Sequence, residues 1–270
     1  MNNTDPLFEQ IQQNTQGVAN DPGFLGLTNI WLREAIRHQY AHNFTWLGRP
    51  IVQVPTDIYA IQELIWRIKP DLIIETGIAH GGSLILSASM LALLDYCEAV
   101  SSGLILDPKK SRRRVLGIDI DVRAHNRVAI EAHPMAHLIE MIQGSSIDPC
   151  IITQVSEKAS QFNTVLVFLD SNHTHDHVLA ELEGYAPLVS KNSYCVVWDS
   201  GIEDLPTGFC TNRPWDKGNN PKTATWEYLR RLKNEIKLGV DNTQLKFDID
   251  HTIQHKIVIS ACSDGFLKRI

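Results

Sequence analysis

The stretch DLIIETGIAHGGSL, residues 71–84, decides the fold predicted for this chain. A short apolar run ends in an acid and a glycine, Glu75 and Gly77, and a second glycine, Gly81, precedes another apolar segment. Such a run, bounded by turn residues, is typical of a strand that is buried on both faces of a sheet. The glycines allow a tight turn directly after the strand. The stretch therefore predicts a strand, a glycine loop and a helix, which together form a unit of an α/β fold.

The rest of the chain repeats this alternation. Apolar runs that end in acids or turn residues predict further strands over 114–121, 137–146, 163–171 and 193–200. Segments with helical spacing predict helices over 56–68, 125–133, 149–160, 176–189 and 224–235. The tail, residues 247–270, suggests a closing hairpin or strand pair. Alternating strands and helices predict a mostly parallel sheet with right-handed crossovers.

The N-terminal segment is interpreted as an extension of this sheet domain. Residues 1–22 are rich in Asn and Gln and lack periodicity, which predicts a loose arm. A helix is predicted over 28–42 with Thr28 as its N-cap, and Thr56 or Asp57 is expected to cap the next helix. The chain is accordingly divided into an N-terminal arm and helix, residues 1–55, and a main domain, residues 56–270.

Polar side chains cluster where the predicted strands end: Glu75, Asp119, Asp121, Ser145, Asp170 and Asp199. In open parallel sheets, ligands bind outside the carboxyl ends of the strands, so one cleft would collect these groups. The glycine loop has the spacing E-x-G-x-x-x-G and contains no Lys, so it is neither a G-x-G-x-x-G motif nor a P-loop. Its acid would repel a phosphate and suits a ligand with a cationic or hydroxyl-bearing part. Asp119 or Asp121 could accept hydrogen bonds from ribose hydroxyls. The alternative for the glycine loop is that its glycines only shape the turn between strand and helix.

Composition indicates a soluble cytoplasmic protein. The 270 residues carry a net charge of −6, which argues against a nucleic-acid-binding protein. Five widely spaced cysteines without a C-x-x-C pair argue against a disulfide framework. The polar N-terminus does not resemble a signal peptide, and no apolar run approaches the roughly 20 residues of a membrane span.

The stretch LDSNHTHDHVLAELE, residues 169–183, carries three histidines at alternate positions. HTHDH is one residue short of an H-x-H-x-D-H zinc motif, so Asp170, His173 and His175 would form at most a weak zinc site. The plain interpretation is a polar loop that enters a helix, with no functional role for its histidines. This interpretation suits His177, whereas for His175 a structural and a functional role both stay open. His173 lies in the strand-to-helix loop, where a neutral imidazole can accept a hydroxyl proton. A base beside a carboxylate-bound metal is the favoured interpretation.

Five segments together resemble the cephalosporin hydroxylase / rhamnosyl O-methyltransferase family: ETGIAHGGSL, GIDIDVRAHNR, IQGSSID, LDSNHTHDHVLAELE and RPWDKGNNPKTA. The resemblance runs from about NFTWLGRPI (43–51) to the C-terminal SDGFLKRI. It implies an α/β, Rossmann-like, doubly wound seven-stranded sheet of the class I methyltransferase type with a reversed last hairpin. To this fold the present chain would add an N-terminal helical extension. The resemblance also implies S-adenosylmethionine as cofactor, an assisting Mg²⁺ and a homo-oligomer.

The resemblance also assigns roles to individual residues. It implies that Glu75, Gly77 and Gly81 lie against the methionine part of S-adenosylmethionine. It implies that Asp119 holds the ribose and that Ser145 or Ser146 lies near the adenine.

The same resemblance places Asp170 and Asp199 at metal-ligand positions and His173 at the position of the catalytic base. Metal-binding relatives carry an adjacent Glu-Asp pair where this chain has Trp198 before Asp199. A tryptophan cannot ligate Mg²⁺, which needs hard oxygen ligands. Two carboxylates with waters or substrate hydroxyls can still suffice, with Glu203 or Asp204 as candidate helpers.

The predicted activity is S-adenosylmethionine-dependent, Mg²⁺-assisted methylation of a hydroxyl of a sugar or related polar metabolite, as in lipopolysaccharide or sugar biosynthesis. One alternative is a cephalosporin-hydroxylase-like oxidising enzyme, which would need Fe(II) on His173, His175 and Asp170. Another is a non-catalytic partner protein that binds the cofactor. A loop with Asn219, Asn220 and Lys222 could line the substrate pocket, since loops carry specificity; the alternative is a turn that packs against the sheet edge.

Overall fold

A seven-stranded sheet forms the centre of the protein in the computed structural model, which describes residues 6–270. The strand order is β5-β4-β3-β6-β7-β9-β8, and β1 and β2 form a separate antiparallel hairpin. The strands are β1 (Phe44–Trp46), β2 (Arg49–Ile51), β3 (Leu72–Thr76), β4 (Arg114–Asp119), β5 (Ile139–Gln143), β6 (Val165–Leu169), β7 (Tyr194–Val197), β8 (Phe247–Ile249) and β9 (Phe266–Arg269).

Helices cover the sheet and precede it. They are α1 (Pro6–Ala19), α2 (Pro22–Arg37), α3 (Pro55–Ile68), α4 (Gly82–Ser102), α5 (Ala124–Glu131), α6 (Pro149–Ala159), α7 (His175–Tyr185), α8 (Pro221–Asn234) and α9 (His251–Ile257). The predicted strands and helices of the sheet domain are present, and their ends differ from the predicted ones by a few residues.

Strand β3 shows why its sequence lacks polar alternation. Ile73 packs into one hydrophobic cluster, whereas Leu72 and Ile74 pack into a second cluster on the other face of the sheet. Successive side chains of a strand point to opposite faces, so both faces of β3 are covered. All five residues of the strand are buried. Burial of each Ile or Leu side chain contributes about 1.5–3 kcal/mol, which makes β3 a centre of the fold.

The strand order creates a switch point beside β3. Strands β4 and β5 follow on one side of β3, and β6 and β7 lie on the other, all parallel. The helices that follow β3 and β6, α4 and α7, therefore pack on opposite faces of the sheet, and the strand ends between them form a crevice of the kind in which ligands bind in doubly wound sheets. The predicted fold class is confirmed.

The tail reverses direction, as predicted for a closing strand pair. Strand β9 pairs antiparallel with both β7 and β8, and α9 connects β8 to β9. The sheet is thus mostly parallel with an antiparallel end.

The N-terminal predictions are corrected by the structure. Residues 6–19 form α1, so the expected loose arm over 1–22 is wrong for its described part, and residues 1–5 lie outside the described residues. Helix α2 begins at Pro22 with Asp21 as its N-cap, whose Oδ1 accepts a hydrogen bond from the Phe24 backbone N at 2.9 Å. An aspartate followed by proline is a stronger start signal than Thr28, which lies inside the helix.

The side chains at the start of α3 do not cap the helix. Thr56 Oγ1 donates to the carbonyl oxygen of Ile259, and Asp57 accepts from Ser260 Oγ at 2.6 Å and from the Ala261 backbone N at 2.9 Å. Asp57 is fully buried, and burial raises the pKa of its carboxyl group to about 7. Both side chains therefore hold a segment that lies about 200 residues away in the chain, which no local pattern could indicate.

Helix α4 differs from the expectation that no apolar segment approaches the length of a membrane span. Among the helices of residues 6–270, it alone is long and apolar enough to cross a membrane. Half of that apolar window is buried inside the protein, as in the core helix of a sheet domain. Small polar residues interrupt the run, so it is apolar only on average.

Candidate active site

The glycine loop after β3 is shaped by close backbone contacts. Gly77 has a φ of +88°, and its N–H donates to the carbonyl oxygen of Ile118 at 2.7 Å. A Cβ atom added at Gly77 would lie 2.0 Å from the carbonyl oxygen of Asp170. Gly81 has a φ of +83°, and a Cβ there would lie 2.4 Å from Ile130 Cδ1. The loops that follow β3 and β6 are thus in direct contact.

Glu75 lies at the end of β3 beneath this loop. It is 2% exposed, and its Oε1 accepts a hydrogen bond from Ser83 Oγ. Its Oε2 is buried and has no hydrogen-bond partner within the described part of the chain. Burial raises the pKa of the carboxyl group to about 8, although the bond from Ser83 acts in the opposite direction.

Asp119 ends β4 and binds the backbone of the same loop. Its Oδ2 accepts from the backbone N of Ile78 at 2.8 Å and of Ala79 at 3.3 Å, and its Oδ1 accepts from Asp121 N at 3.0 Å. Asp119 is partly buried and Asp121 is exposed. Asp119 therefore lies at the expected edge, where it also fixes the course of the glycine loop.

The serines after β5 join a polar network. Ser145 is partly exposed, whereas Ser146 is buried with its Oγ 3.1 Å from His177 Nε2. The same nitrogen lies 3.1 Å from Ser171 Oγ, which donates to Oε1 of the fully buried Glu181 at 2.7 Å. His177 lies on helix α7, partly exposed, as the plain interpretation has it, and its Nε2 bonds to side chains. Its position four residues before Glu181 on one helix is the signal that could have indicated this.

Asp170, His173 and Asp199 converge at the carboxyl edge of β6 and β7. One ligand atom from each lies within 4.8 Å of the others. His173 Nε2 lies 3.1 Å from Asp199 Oδ2. Burial and the nearby carboxylates of Asp199, Glu75 and Glu181 raise the pKa of Asp170 well above its usual range. Asp199 has a φ of +54°, a left-handed conformation that an aspartate tolerates better than most residues.

Trp215 is a site residue that the sequence analysis missed. Its ring packs edge-on against the imidazole of His173, with 4.7 Å between the ring centroids. The guanidinium of Arg213 lies 5.3 Å from the centre of the Trp215 ring. The motif RPWDKG contains both residues, but only tertiary structure brings them to the histidine.

His175 is not part of the carboxylate cluster. Its backbone N donates to Asn219 Oδ1 at 2.9 Å, and its Nδ1 lies 2.9 Å from Thr223 Oγ1. The zinc or Fe(II) set of Asp170, His173 and His175 is therefore not assembled. His175 instead joins the start of α7 to the loop before α8.

The loop residues expected to line the substrate pocket are structural. Asn220 is fully buried and caps α8, and Lys222, 4% exposed, bonds both carboxylate oxygens of Asp204 at 2.7 and 2.6 Å. Glu203 accepts from Gly218 N and Asn220 Nδ2. Asn220 and Lys222 do not line the cleft beside Asp199, so the pocket expectation for them is wrong. Glu203 and Asp204 bond to these two residues and are not part of the cluster of Asp170, His173 and Asp199.

Trp198 is 4% exposed and lies in the core, where its ring packs edge-on against Phe168. Its neighbour Asp199 faces a cleft of about 440 Å³, and a smaller cavity of about 40 Å³ lies beside the glycine loop. Gln53 and Asp170 line both spaces and mark where they meet.

Comparison with known proteins identifies relatives of this chain. The profile of the family described as Rhamnosyl O-methyltransferase/CmcI matches residues 38–270. Rhamnosyl O-methyltransferase of Mycobacterium tuberculosis is 28% identical over 196 residues, which are 72% of this chain and 69% of the relative. The protein of the same name from Mycobacterium leprae is 27% identical over 163 residues, 60% of this chain and 62% of the relative.

A solved structure of CmcI, described as containing Mg and SAM, is also similar. It has 16% sequence identity and a TM-score of 0.52, and the match covers 85% of this chain and 77% of that chain. At this identity the likeness shows the fold. The predicted family and enzyme class are confirmed: the chain belongs to the Rhamnosyl O-methyltransferase/CmcI family.

Proposed function

We propose that this protein transfers a methyl group from S-adenosylmethionine to a hydroxyl of a sugar or related polar metabolite, with the help of a divalent ion, Mg²⁺. The observation that carries the proposal is the convergence of Asp170, His173 and Asp199 between the glycine loop and the 440 Å³ cleft. The base, the metal ligands and the cofactor loop would then lie around one reaction centre, at the switch point of the sheet.

The residues beside the glycine loop fit S-adenosylmethionine. When bound, the cofactor supplies an electrophilic methyl group on a positively charged sulfur. Glu75 has a buried oxygen without a partner in residues 6–270 and a pKa raised to about 8, so a nearby cationic ligand would favour its charged form. Gly77 and Gly81 would let the backbone approach the methionine part, Asp119 would hold the ribose, and Ser145 or Ser146 would lie near the adenine.

The residues of the carboxylate cluster fit a hard divalent ion. Asp170 and Asp199 offer two carboxylates, and Mg²⁺ is usually held by one or two carboxylates together with waters and substrate oxygens. Asp170 is surrounded by Asp199, Glu75 and Glu181, so its charged form is disfavoured until a cation compensates for it. The departure at Trp198 removes one family ligand position but leaves this pair intact. An ion held here would acidify a bound hydroxyl and orient it.

His173 is proposed as the base. Its Nε2 lies 3.1 Å from Asp199 Oδ2, and Trp215 packs against the ring, so its position is defined by two neighbours. A histidine beside an acidified hydroxyl can take its proton as the new C–O bond forms. The protein's other contribution is orientation, since the acceptor oxygen, the methyl carbon and the sulfur must lie in line for the C–O bond to form as the C–S bond breaks and S-adenosylhomocysteine leaves.

The experiment compares His173→Ala with the control His137→Ala, which changes an exposed histidine outside the site. Transfer of labelled methyl groups to a panel of sugar acceptors is measured together with calorimetric binding of S-adenosylmethionine. We expect His173→Ala to lower turnover by about 10² to 10⁴ and to leave cofactor binding intact. Unchanged turnover in His173→Ala would remove this residue as the base.

A further inference from the structure

Three consecutive apolar residues in the loop after α4 are exposed to solvent. Leu104 is 70% exposed, Ile105 is 98% exposed and Leu106 is 36% exposed. No other large hydrophobic side chain among residues 6–270 is as exposed as that of Ile105. Single apolar residues are common on protein surfaces, whereas a contiguous apolar patch marks an interaction site.

Helix α4 extends this run into a stripe. Leu93, Tyr96 and Val100 are exposed at spacings of three and four residues, so they share one face of the helix. The helix ends at Gly103 in a Schellman motif, in which the N–H groups of residues 103 and 104 bond back to the last turn. Leu104 therefore stays beside that turn. The stripe and residues 104–106 form one apolar surface, which we call the α4 surface.

Basic residues follow the apolar run directly. Residues 93–114 hold five basic and three acidic residues, a net charge of +2 in a chain whose total is −6. Lys109, Lys110 and Arg112 are exposed. Lys109 and Arg112 form no ion pair with any of the described residues, so their charges are free to meet a partner outside the chain.

The acids of this region all have basic partners. Arg113 is 8% exposed and bonds Asp95 and Glu98 of α4, the latter at 2.7 Å. Asp107 Oδ2 lies 3.5 Å from Lys110 Nζ. These pairs hold the basic loop against α4, and they neutralise the groups that would repel an anion.

The α4 surface lies far from the carboxylate cluster. Helix α4 begins at the glycine loop, at the carboxyl edge of the sheet, and its 21 residues span about 30 Å. It ends before β4, which runs parallel to β3, so residues 103–113 lie at the amino edge. A partner bound there would leave the reaction centre accessible.

Charge favours a membrane over a second copy of the chain as that partner. In a two-fold dimer the surface would meet itself, which would bring the unpaired Lys109 and Arg112 of both copies together. At an anionic membrane, apolar side chains enter the acyl boundary while basic side chains contact the headgroups. The contact is peripheral, because half of the apolar window of α4 is buried within the protein.

We propose that the α4 surface docks this protein on bilayers that contain anionic phospholipids. Leu104, Ile105 and Leu106 insert between the headgroups, and the exposed basic residues after them contact the lipid phosphates. Docking is independent of the proposed methyl transfer, because the α4 surface shares no residue with the reaction centre.

The test is co-sedimentation of the full chain with vesicles of equal parts phosphatidylcholine and phosphatidylglycerol, compared with vesicles of phosphatidylcholine alone. Binding to the anionic vesicles is expected to be at least about tenfold tighter, because each basic residue near an anionic surface strengthens binding about fivefold. The difference should shrink at high salt, which screens exposed charges. Equal binding to both kinds of vesicle, or no binding to either, would overturn the proposal.

Two matched pairs of variants locate the contact. Ile105→Asn should weaken binding to the anionic vesicles about tenfold, since it removes an inserted apolar side chain. Ile236→Asn should not, although Ile236 is 80% exposed in the loop after α8, whose buried side chains pack on the other face of the sheet. Lys109→Gln should weaken binding about fivefold, whereas Lys246→Gln, another exposed lysine, should leave it unchanged. Equal effects within either pair would overturn the assignment of this surface.

Sedimentation without vesicles distinguishes a membrane from a second copy. Ile105→Asn is expected to keep the oligomeric state and the unfolding temperature of the wild type, because an exposed side chain contributes little to stability. Weakened vesicle binding with both properties unchanged would support the proposal. A changed oligomeric state with wild-type vesicle binding would show that the α4 surface meets another copy of the chain, and would overturn it.

Discussion

The two halves of the site at the carboxyl edge of the sheet are built in different ways. The cofactor half consists of strand ends and the glycine loop, which backbone contacts hold together, such as the bond of Gly77 N to the carbonyl oxygen of Ile118. The acceptor half consists of α2 and the segment from Asp199 to Trp215, which lie outside the sheet. Side-chain bonds from distant residues anchor that segment, among them Lys222 to Asp204. The difference separates a half that backbone contacts at the sheet edge hold in place from a half whose loop segment is anchored by side-chain bonds.

The largest expected effect is in the cofactor half. Gly77→Ala should destabilise the fold by about 4 kcal/mol or more and abolish S-adenosylmethionine binding, because the new Cβ would lie 2.0 Å from the Asp170 carbonyl oxygen. Gly48→Ala is the control, since Gly48 has a similar φ of +87° and open space around it. It should cost about 1–2 kcal/mol. Thermal unfolding and calorimetric titration measure both, and similar losses in the two variants would contradict rigid contact between the loops.

Asp170→Asn should separate stability from function. Activity should fall at least about 100-fold. The unfolding temperature without metal should rise, because the buried Asp170 carboxyl group, beside three carboxylates, must otherwise carry an unfavourable charge or take up a proton on folding. Asp176→Asn, an exposed change in the first turn of α7, should keep its activity. Retained activity and retained metal dependence in Asp170→Asn would contradict the metal role.

Asp57→Asn should change how stability depends on pH. The folded pKa is about 7, above the unfolded value near 4, so the folded protein keeps a proton that the unfolded chain releases. The free energy of unfolding therefore falls as the pH rises from about 4 to about 7, and the loss is complete above 7. Replacing Asp57 by Asn should remove about 3–4 kcal/mol of this fall in the free energy of unfolding over that range. The measurement is the free energy of unfolding from denaturant titrations at several pH values. The same dependence on pH in wild type and variant would contradict a raised pKa for Asp57.

The smallest expected effect concerns the anchor of the acceptor half. Lys222→Met should cost about 1–2 kcal/mol, because Lys222 is buried and Asp204, partly exposed, would lose its partner. Lys158→Met breaks a surface pair of the same 2.6 Å length and should cost less than about 1 kcal/mol. We also expect Lys222→Met to weaken acceptor binding more than cofactor binding. A larger loss of cofactor binding than of acceptor binding would show that this ion pair does not support the acceptor half.

The cofactor half could be predicted from sequence because local patterns determine it. The apolar run of β3 and the glycines after it lie within a few residues of one another, and parallel strands bring Glu75, Asp119, Asp170 and Asp199 to one edge. The roles of these residues and of Gly81, Ser145, Ser146 and His173 came from the family resemblance and stay proposals.

The acceptor half escaped prediction because its contacts are long-range. The same holds outside this half for Asp57 of α3, which occupies a position that suits a helix cap yet binds residues 260 and 261. Lys222 and Asn220 lie in a loop-like motif, yet an ion pair and a helix cap bury them. Trp215 reaches His173 only through the fold. The division at residue 55, the homo-oligomer and the cytoplasmic location stay predictions.

The most direct test of the central claim is a crystal structure with S-adenosylmethionine and Mn²⁺, whose anomalous signal locates the ion as a substitute for Mg²⁺. The account predicts one peak in bonding contact with carboxylate oxygens of Asp170 and Asp199, with the cofactor on the Gly77–Gly81 loop and its methyl group directed at the cleft. An ion bound elsewhere, or a cofactor away from the glycine loop, would contradict the proposed reaction centre.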